Sequence, residues 1–470
     1  MSQRVTNSRF INIFRLLKEA VNGEEKEYTT GSIDRAIFML SIPMILEMSM
    51  ESLFALADAF FVSRLGTDAI ATVGLTESLL FVVYSLAIGV SMGTTAVVAR
   101  RTGEKNKDGA AHAGMQAIYI GVALSILIGI VGIVFAKDLL KLMGGSPELI
   151  EENYLYTVIL LGSNVVILLL FLINGIFRGA GDASIAMRSL WLANLLNIVL
   201  DPLLIYGLGP IEGMGLKGAA IATAIGRGTG VLYQIYHLYK GKGMIKVLRK
   251  HMGIDVPIIG NLLRLSLGGT AQFLIASASW IFLVRIIAKF GSNAIAGYTI
   301  GIRMIGFTIL PAWGMSNAAA TLVGQNLGAK QPERAEQSVW RTAFFNMIFL
   351  VSVAIVFTIF APWIIGIFST EPEVLKYGIE CLRYVCAGYL FYGYGMVLAQ
   401  SFNGAGDTKT PTIINFFGFW VFQIPLAYVL ANSLAWGPKG VFWAIAIAES
   451  AMAIAAMLIF RRGKWKTIEV

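Results

Sequence analysis

Three carboxylates stand inside an otherwise apolar stretch, Leu40 to Gly66, which reads LSIPMILEMSMESLFALADAFFVSRLG. At 100° per residue, Glu51 lies about 40° and Asp58 about 20° round from Glu47, so the three acids form one stripe down a single helix face. A charge at the bilayer centre costs about 2.5–3.5 kcal/mol on insertion scales, so this stripe faces a protein interior or a watery cavity rather than lipid. Further along, Asn194, Asn197 and Asp201 recur at i, i+3 and i+7 on one face of a second apolar helix. Pro202 follows at once and has no N–H to donate, which releases the carbonyl of Ile198 beside Asn197 and Asp201. Carboxylate, amide and carbonyl oxygens converging at membrane depth suit a hard monovalent cation, or a proton shared through water. Arg227 lies in a third apolar helix and needs a counter-charge, which Glu47 or Glu51 can supply. The plainer readings are an Asp201 that fixes helix packing through Asn, an Asp58 that reaches headgroup water, and glutamates that serve only to neutralise Arg227.

The elements that position these residues are membrane helices. Hydrophobic residues make up 56% of the 470-residue chain and charged residues 14%, against roughly 25% charged in a soluble domain. Apolar runs recur at 36–63, 70–98, 113–135, 154–177, 186–208, 216–239, 259–288, 294–323, 342–363, 376–402, 411–433 and 439–460. The chain therefore reads as an all-α polytopic membrane protein with about twelve transmembrane helices. A β-barrel is excluded, because its strands would alternate polar and apolar over about 10 residues. The net charge of +9 collects beside alternate spans, at Arg100, Arg101, Lys105 and Lys107, at Lys240 to Lys250, and at Arg461 to Lys466. That pattern is topology rather than nucleic-acid binding, and the positive-inside rule puts both termini in the cytoplasm.

Cys381 and Cys386 sit five apart on a helix, so neither a disulfide nor a metal pair is expected. His112, His237 and His251 lack metal-ligand spacing and read as surface residues. No cleavable signal sequence is expected in the first thirty residues. Phe10, Ile13, Phe14, Leu17 and Val21 instead line one face opposite Arg15, Lys18 and Glu19, an amphipathic helix for the anionic inner leaflet. No Ser/His, Cys/His or metal constellation occurs in the spans, and no enzymatic activity is expected.

The sequence repeats itself with a shift of 225 residues. Leu40-Ser41-Ile42 falls on Leu265-Ser266-Leu267, Leu65-Gly66 on Phe290-Gly291, Gly103 on Gly328, and Gly179-Ala180-Gly181-Asp182 on Gly404-Ala405-Gly406-Asp407. Two six-helix bundles in the same orientation follow. The expected organisation is a tail at 1–32, a first lobe at 33–239, a cytoplasmic linker at 240–258, a second lobe at 259–461 and a tail at 462–470. The GAGD segments read as tight turns with Asp182 and Asp407 capping the next helix, since a phosphate loop would need GxxxxGK[ST] after a strand. Chemistry is unequal between the copies. Glu47, Glu51, Asp58, Glu77 and Asp201 lie in spans of the first, whereas the second offers only Glu380 and Glu449. Trp280, Phe307, Trp313, Tyr389, Tyr392, Tyr394 and Phe417 can line a cavity for flat organic cations, or anchor and pack helices.

From about residue 33 to 462 the chain resembles the multidrug and toxic compound extrusion (MATE) transporters. The resemblance rests on the SIP segment with Pro43, on ADAFFVSRLG, on the two GAGD turns, and on NLLNIVLDPLLIYGLG followed by GLKGAAIAT. It implies two bundles around a V-shaped cavity that alternates between faces, and cation-driven export of amphipathic compounds. It further implies a cation site at Asp58, Asn197, Asp201 and Thr223, substrate contacts at Glu51, Phe54 and Asn174, and a bend of the first helix at Pro43. Glu47 and Arg227 complete the candidate substrate set, unless they serve only as an ion pair. Sodium-coupled members of another branch carry acids on the seventh and tenth helices; here the seventh has none, which favours the branch resembling DNA-damage-inducible protein F.

The expected activity is exchange of protons for amphipathic, cationic drugs or metabolites across a bacterial inner membrane, by a monomer that needs no cofactor. Sodium coupling and the flipping of a lipid-linked oligosaccharide are the alternatives within the superfamily.

Overall fold

Long apolar runs closed by Asn, Ser or Gly become long helices because each end finds a local partner for its free backbone groups. The structure, a computed structural model, describes residues 15–23, 27–209, 211–240 and 243–470. The third span, Lys107–Val134, opens with Asn106, whose side chain accepts from Gly109 N at 2.8 Å. The fourth opens with Ser146 capping Leu149 N and Pro147 in the first turn. Ten described helices are long and apolar enough to cross a membrane, including the first, Ile33–Ser63, the second, Thr67–Gly103, the fifth, Ala183–Tyr206, the seventh, Val256–Ala288, and the eighth, Ser292–Gly328. The sixth and tenth expected spans fall short of that measure for visible reasons. The sixth, Leu216–Lys240, carries Arg227, Gln234 and His237, and the tenth is broken into Pro372–Cys386 and Tyr389–Gly404.

The 225-residue repeat is written into the backbone. Left-handed residues recur in register: Gly66 (φ 103°) with Gly291 (97°), Lys105 (59°) with Lys330 (58°), and Gly181 (88°) with Gly406 (89°). The fourth span breaks at Ser163, between Pro147–Gly162 and Asn164–Ala180, where the tenth breaks at Ala387 and Gly388. The first glycine of each GAGD segment is a close-packing position. A Cβ at Gly179 would lie 2.8 Å from Thr95 O, and one at Gly404 would run into the Ala320 backbone, its repeat equivalent. Gly404→Val is therefore expected to cost about 1–3 kcal/mol through overpacking against main chain that cannot yield. A lower melting temperature in detergent, against an unchanged value for an exposed control such as Lys409→Ala, checks it.

The chain forms two compact units: Met1–Glu27 with Ile42–Thr270, and Tyr28–Ser41 with Ala271–Val470. The boundary thus falls inside helices rather than at the expected linker. The opening turns of the first span belong to unit two because Arg334 donates to the carbonyls of Tyr28, Thr30 and Gly31, and Arg341 pairs with Asp34 at 2.8 Å. The start of the seventh span belongs to unit one because Gly269 packs on Gly89, and Ser266 on Gly93. Unit one has a core around Leu80, Val83, Leu160, Leu168 and Phe171; that of unit two includes Leu283, Tyr298, Leu350, Leu382 and Phe442. On the third span Ile126, Leu127, Ile130 and Val134 stay exposed, as a lipid-facing side requires.

Three sequence expectations change. Asp182 stands at the N-cap of the fifth span without a capping bond; its Oδ2 accepts from Met244 N at 2.6 Å. Asp407 does serve its helix start, accepting from Thr410 N at 3.1 Å. His251 is buried, not superficial, because its Nε2–H donates to Asp108 at 3.0 Å while Nδ1 accepts from Leu248 N. A small hairpin, Gly207–Leu208 with Ile211–Glu212, joins the fifth and sixth spans where only helices were expected. Phe10, Ile13 and Phe14 of the amphipathic stretch lie outside the described residues; 15–22 is helical, and Arg188 donates to Val21 O at 2.8 Å. Cys381 and Cys386 are both free and buried.

The expected linker is a fastened strap. One face of the third span, Asp108, His112, Gln116 and Tyr119, grips it: Lys250 pairs with Asp108 at 2.7 Å, His112 Nδ1 donates to His251 O at 3.0 Å, Gln116 Nε2 donates to Gly253 O at 2.8 Å while its Oε1 accepts from Asp255 N at 3.0 Å, and Tyr119 donates to Met252 O at 2.8 Å.

Candidate functional site

Asp201, Asp58, Glu51 and Glu47 lie in three tiers of unit one. In one, Asn197 and Asp201 of the fifth span are buried, 1% and 0% exposed, and meet Thr223 of the sixth. With the Asn197 amide oriented to satisfy both of its ends, its nitrogen donates to Asp201 Oδ2 at 3.0 Å and its oxygen accepts from Thr223 Oγ1 at 3.2 Å. The fifth span runs through Pro202 without a break. Asp58, half-buried on the first span, is an electrostatic neighbour of Asp201. No hydrogen bond joins Asp58 to that trio among the described residues.

In the next tier Glu51 Oε1 accepts from Arg227 Nη2 at 2.9 Å, and its Oε2 accepts from Asn194 Nδ2 at 3.0 Å. The Arg227 guanidinium stands 5.0 Å from the Phe54 ring centre and 5.8 Å from those of Tyr84 and Phe171. Of the two glutamates that could balance Arg227, Glu51 is the partner. Phe54 is placed by this arrangement as a face for the cation.

Glu47, 1% exposed, belongs to the third tier. Its Oε1 accepts from Asn174 Nδ2 at 2.9 Å and lies 3.8 Å from Arg178 Nη1. Asn174 Oδ1 in turn accepts from Gln234 Nε2 at 2.6 Å and Ser189 Oγ at 3.0 Å, and Arg178 donates to Ser91 Oγ at 3.0 Å. Sequence reasoning missed Arg178, Ser189, Gln234 and Ser91. Spacing carried a signal for two of them: Arg178 is one helical turn after Asn174, and Gln234 two turns after Arg227. Pro43 lies inside the first span, which stays helical through it.

Charge accounting separates these groups. Glu51 has Arg227 and Glu47 has Arg178, whereas neither Asp58 nor Asp201 has an ion-pair partner among the described residues. A carboxylate as buried as Asp201 is costly without a cation of its own unless it is protonated or neutralised by an ion. No group of three or more His, Cys, Asp or Glu suited to a metal occurs among the described residues.

The MatE family profile matches residues 43–203 and 270–429, one stretch in each repeat. The chain is 28% identical over 442 residues to a probable multidrug resistance protein NorM of Thermotoga maritima, covering 92% of this chain and 93% of that one. It is 27% identical to an FAD transporter of Shewanella oneidensis, covering 92% and 95%. Among solved structures it superposes on a MOP superfamily transporter from Pyrococcus furiosus with a TM-score of 0.88 and 29% identity, over 94% of this chain and 98% of that one.

Proposed function

Because the chain belongs to the MATE family of multi-pass membrane transporters, we propose that it is a secondary active antiporter. It exports amphipathic, cationic organic compounds and takes up protons in exchange, from a bacterial inner membrane with both termini in the cytoplasm. The observation that carries this reading is the pair of aspartates without a cation, set beside Glu47 and Glu51, which each have an arginine. Asp201 and Asp58 supply exchangeable negative charge, with Asn197 and Thr223 holding Asp201 in place. Glu51, Phe54 and Asn174 are the residues assigned to substrate, with Glu47 and Arg227, which they contact, completing the set.

A proton is favoured over sodium because Asn197 is spent on Asp201 and Thr223, which leaves few neutral oxygens for a six-coordinate ion. Sodium is the second reading, since Asp58, Asp201 and Thr223 are all oxygen donors. Proteoliposomes loaded with an ethidium-like cation decide between them. Uphill movement is expected under a pH gradient with no sodium present. Uphill movement only under a sodium gradient, at equal pH and zero membrane potential, would name the other ion.

A further inference from the structure

The sixth and twelfth spans end the two repeats, and between them the register tightens. Gly215 (φ 57°) and Gly437 (63°) open the two helices, followed by Lys217 and Lys439 and by Gly218 and Gly440. A side chain at Gly218 would strike the backbone of Leu204, and one at Gly440 that of Leu430 and Ala431, so the match is one of packing as well as sequence. In that register Arg227 falls on Glu449. The two repeats carry opposite charges at the same place.

The first repeat balances its charge internally, through Glu51. The second does not. Ala276 stands where the repeat has Glu51, and Glu449, half-buried in Pro438–Arg461, makes no hydrogen bond or ion pair among the described residues. Glu380, the other acid the sequence offered there, is already paired with Lys439 at 3.0 Å. Glu449 instead faces a cavity of about 20 Å³ that is also lined by Trp280, Tyr389, Tyr392 and Gly388. Gly388 is the break in the tenth span, where a Cβ would lie 3.1 Å from Ala446 O, one turn before Glu449. Tyr389 shares its hydroxyl with Thr308 at 3.1 Å.

We propose that unit two binds one small monovalent cation at Glu449, beside the interrupted tenth span. The carboxylate supplies the charge that the fold leaves unbalanced, and Tyr389, Tyr392 and Trp280 line the same space. Size sets the class of ligand: about 20 Å³ admits one water-sized occupant and excludes a drug-sized cation. The site is separate from the unit-one aspartates and stands whichever ion or substrate the transport cycle uses.

The test is equilibrium binding of radioactive sodium, alone, to the purified full-length protein in detergent at alkaline pH. Asp201→Asn serves as the parent, which silences the unit-one aspartate. Saturable binding is expected in this parent, with one sodium equivalent fewer in Asp201→Asn/Glu449→Gln and weaker binding in Asp201→Asn/Glu449→Asp. Gel filtration and a melt confirm the fold of each, and the Asp variant keeps the question answerable should the Gln variant fail to fold. An unchanged equivalent in the Gln variant, an unchanged affinity in the Asp variant, or no saturable binding in the parent would each overturn the site; the last would mean that Glu449 holds only a proton.

Discussion

Asp201→Asn is expected to yield a normally inserted protein that no longer couples transport to an ion gradient. The amide keeps the volume of the carboxylate and an oxygen to accept from Asn197, so packing between the fifth and sixth spans survives. What is lost is the exchangeable charge. A proton entering down a total proton-motive force of about 150 mV supplies about 3.5 kcal/mol, of which the part not spent on moving the charge of an exported cation drives its accumulation, and an uncoupled carrier sustains none. Substrate accumulation in energised inverted vesicles, at matched membrane abundance, should drop to the level of vesicles without the protein. Accumulation equal to wild type would remove Asp201 from the coupling site.

Arg227→Gln should be the more damaging change to the fold. Arg227 is buried, its guanidinium packed against Phe54, Tyr84 and Phe171, and its loss strands Glu51 with only Asn194. Removing one member of a buried ion pair typically costs about 3–5 kcal/mol, whereas removing both can be nearly neutral. Arg227→Gln should therefore give much less monodisperse protein and a lower melting temperature, and Arg227→Gln/Glu51→Gln should recover most of the loss. Equal losses in the single and double variants would show that the two side chains do not depend on each other.

Much of this was legible in the sequence because membrane helices advertise themselves. Span positions followed from apolar length alone, and the repeat from glycines whose left-handed backbone recurs at Gly66 and Gly291 and at Gly181 and Gly406. Stripe geometry likewise placed Glu47 and Glu51 on one face and brought Asn197 to Asp201. What the pattern could not resolve was choice among partners. Arg227 had two glutamates within reach of the argument, and only packing awards it Glu51 and gives Glu47 to Arg178 and Asn174. Asp182 looked like a helix cap because capping is local; its bond to Met244 crosses to a segment 62 residues away, which no local pattern encodes. His251 was misread for the same reason, its partner Asp108 lying 143 residues upstream.

The strap from Met244 to Asp255 bears on how such a chain can lengthen or shorten over time. A loop between duplicated halves is ordinarily where insertions and deletions accumulate, since slack costs little there. Here nearly every turn of the segment is tied to Asp108, Gln116, Tyr119 or Asp182. Deleting one residue between His251 and Asp255 would turn the start of the seventh span by about 100°, swinging Ser266 and Gly269 away from Gly93 and Gly89, against which they pack without room for a side chain. The seam of the gene duplication has thereby become one of the places least free to change in length.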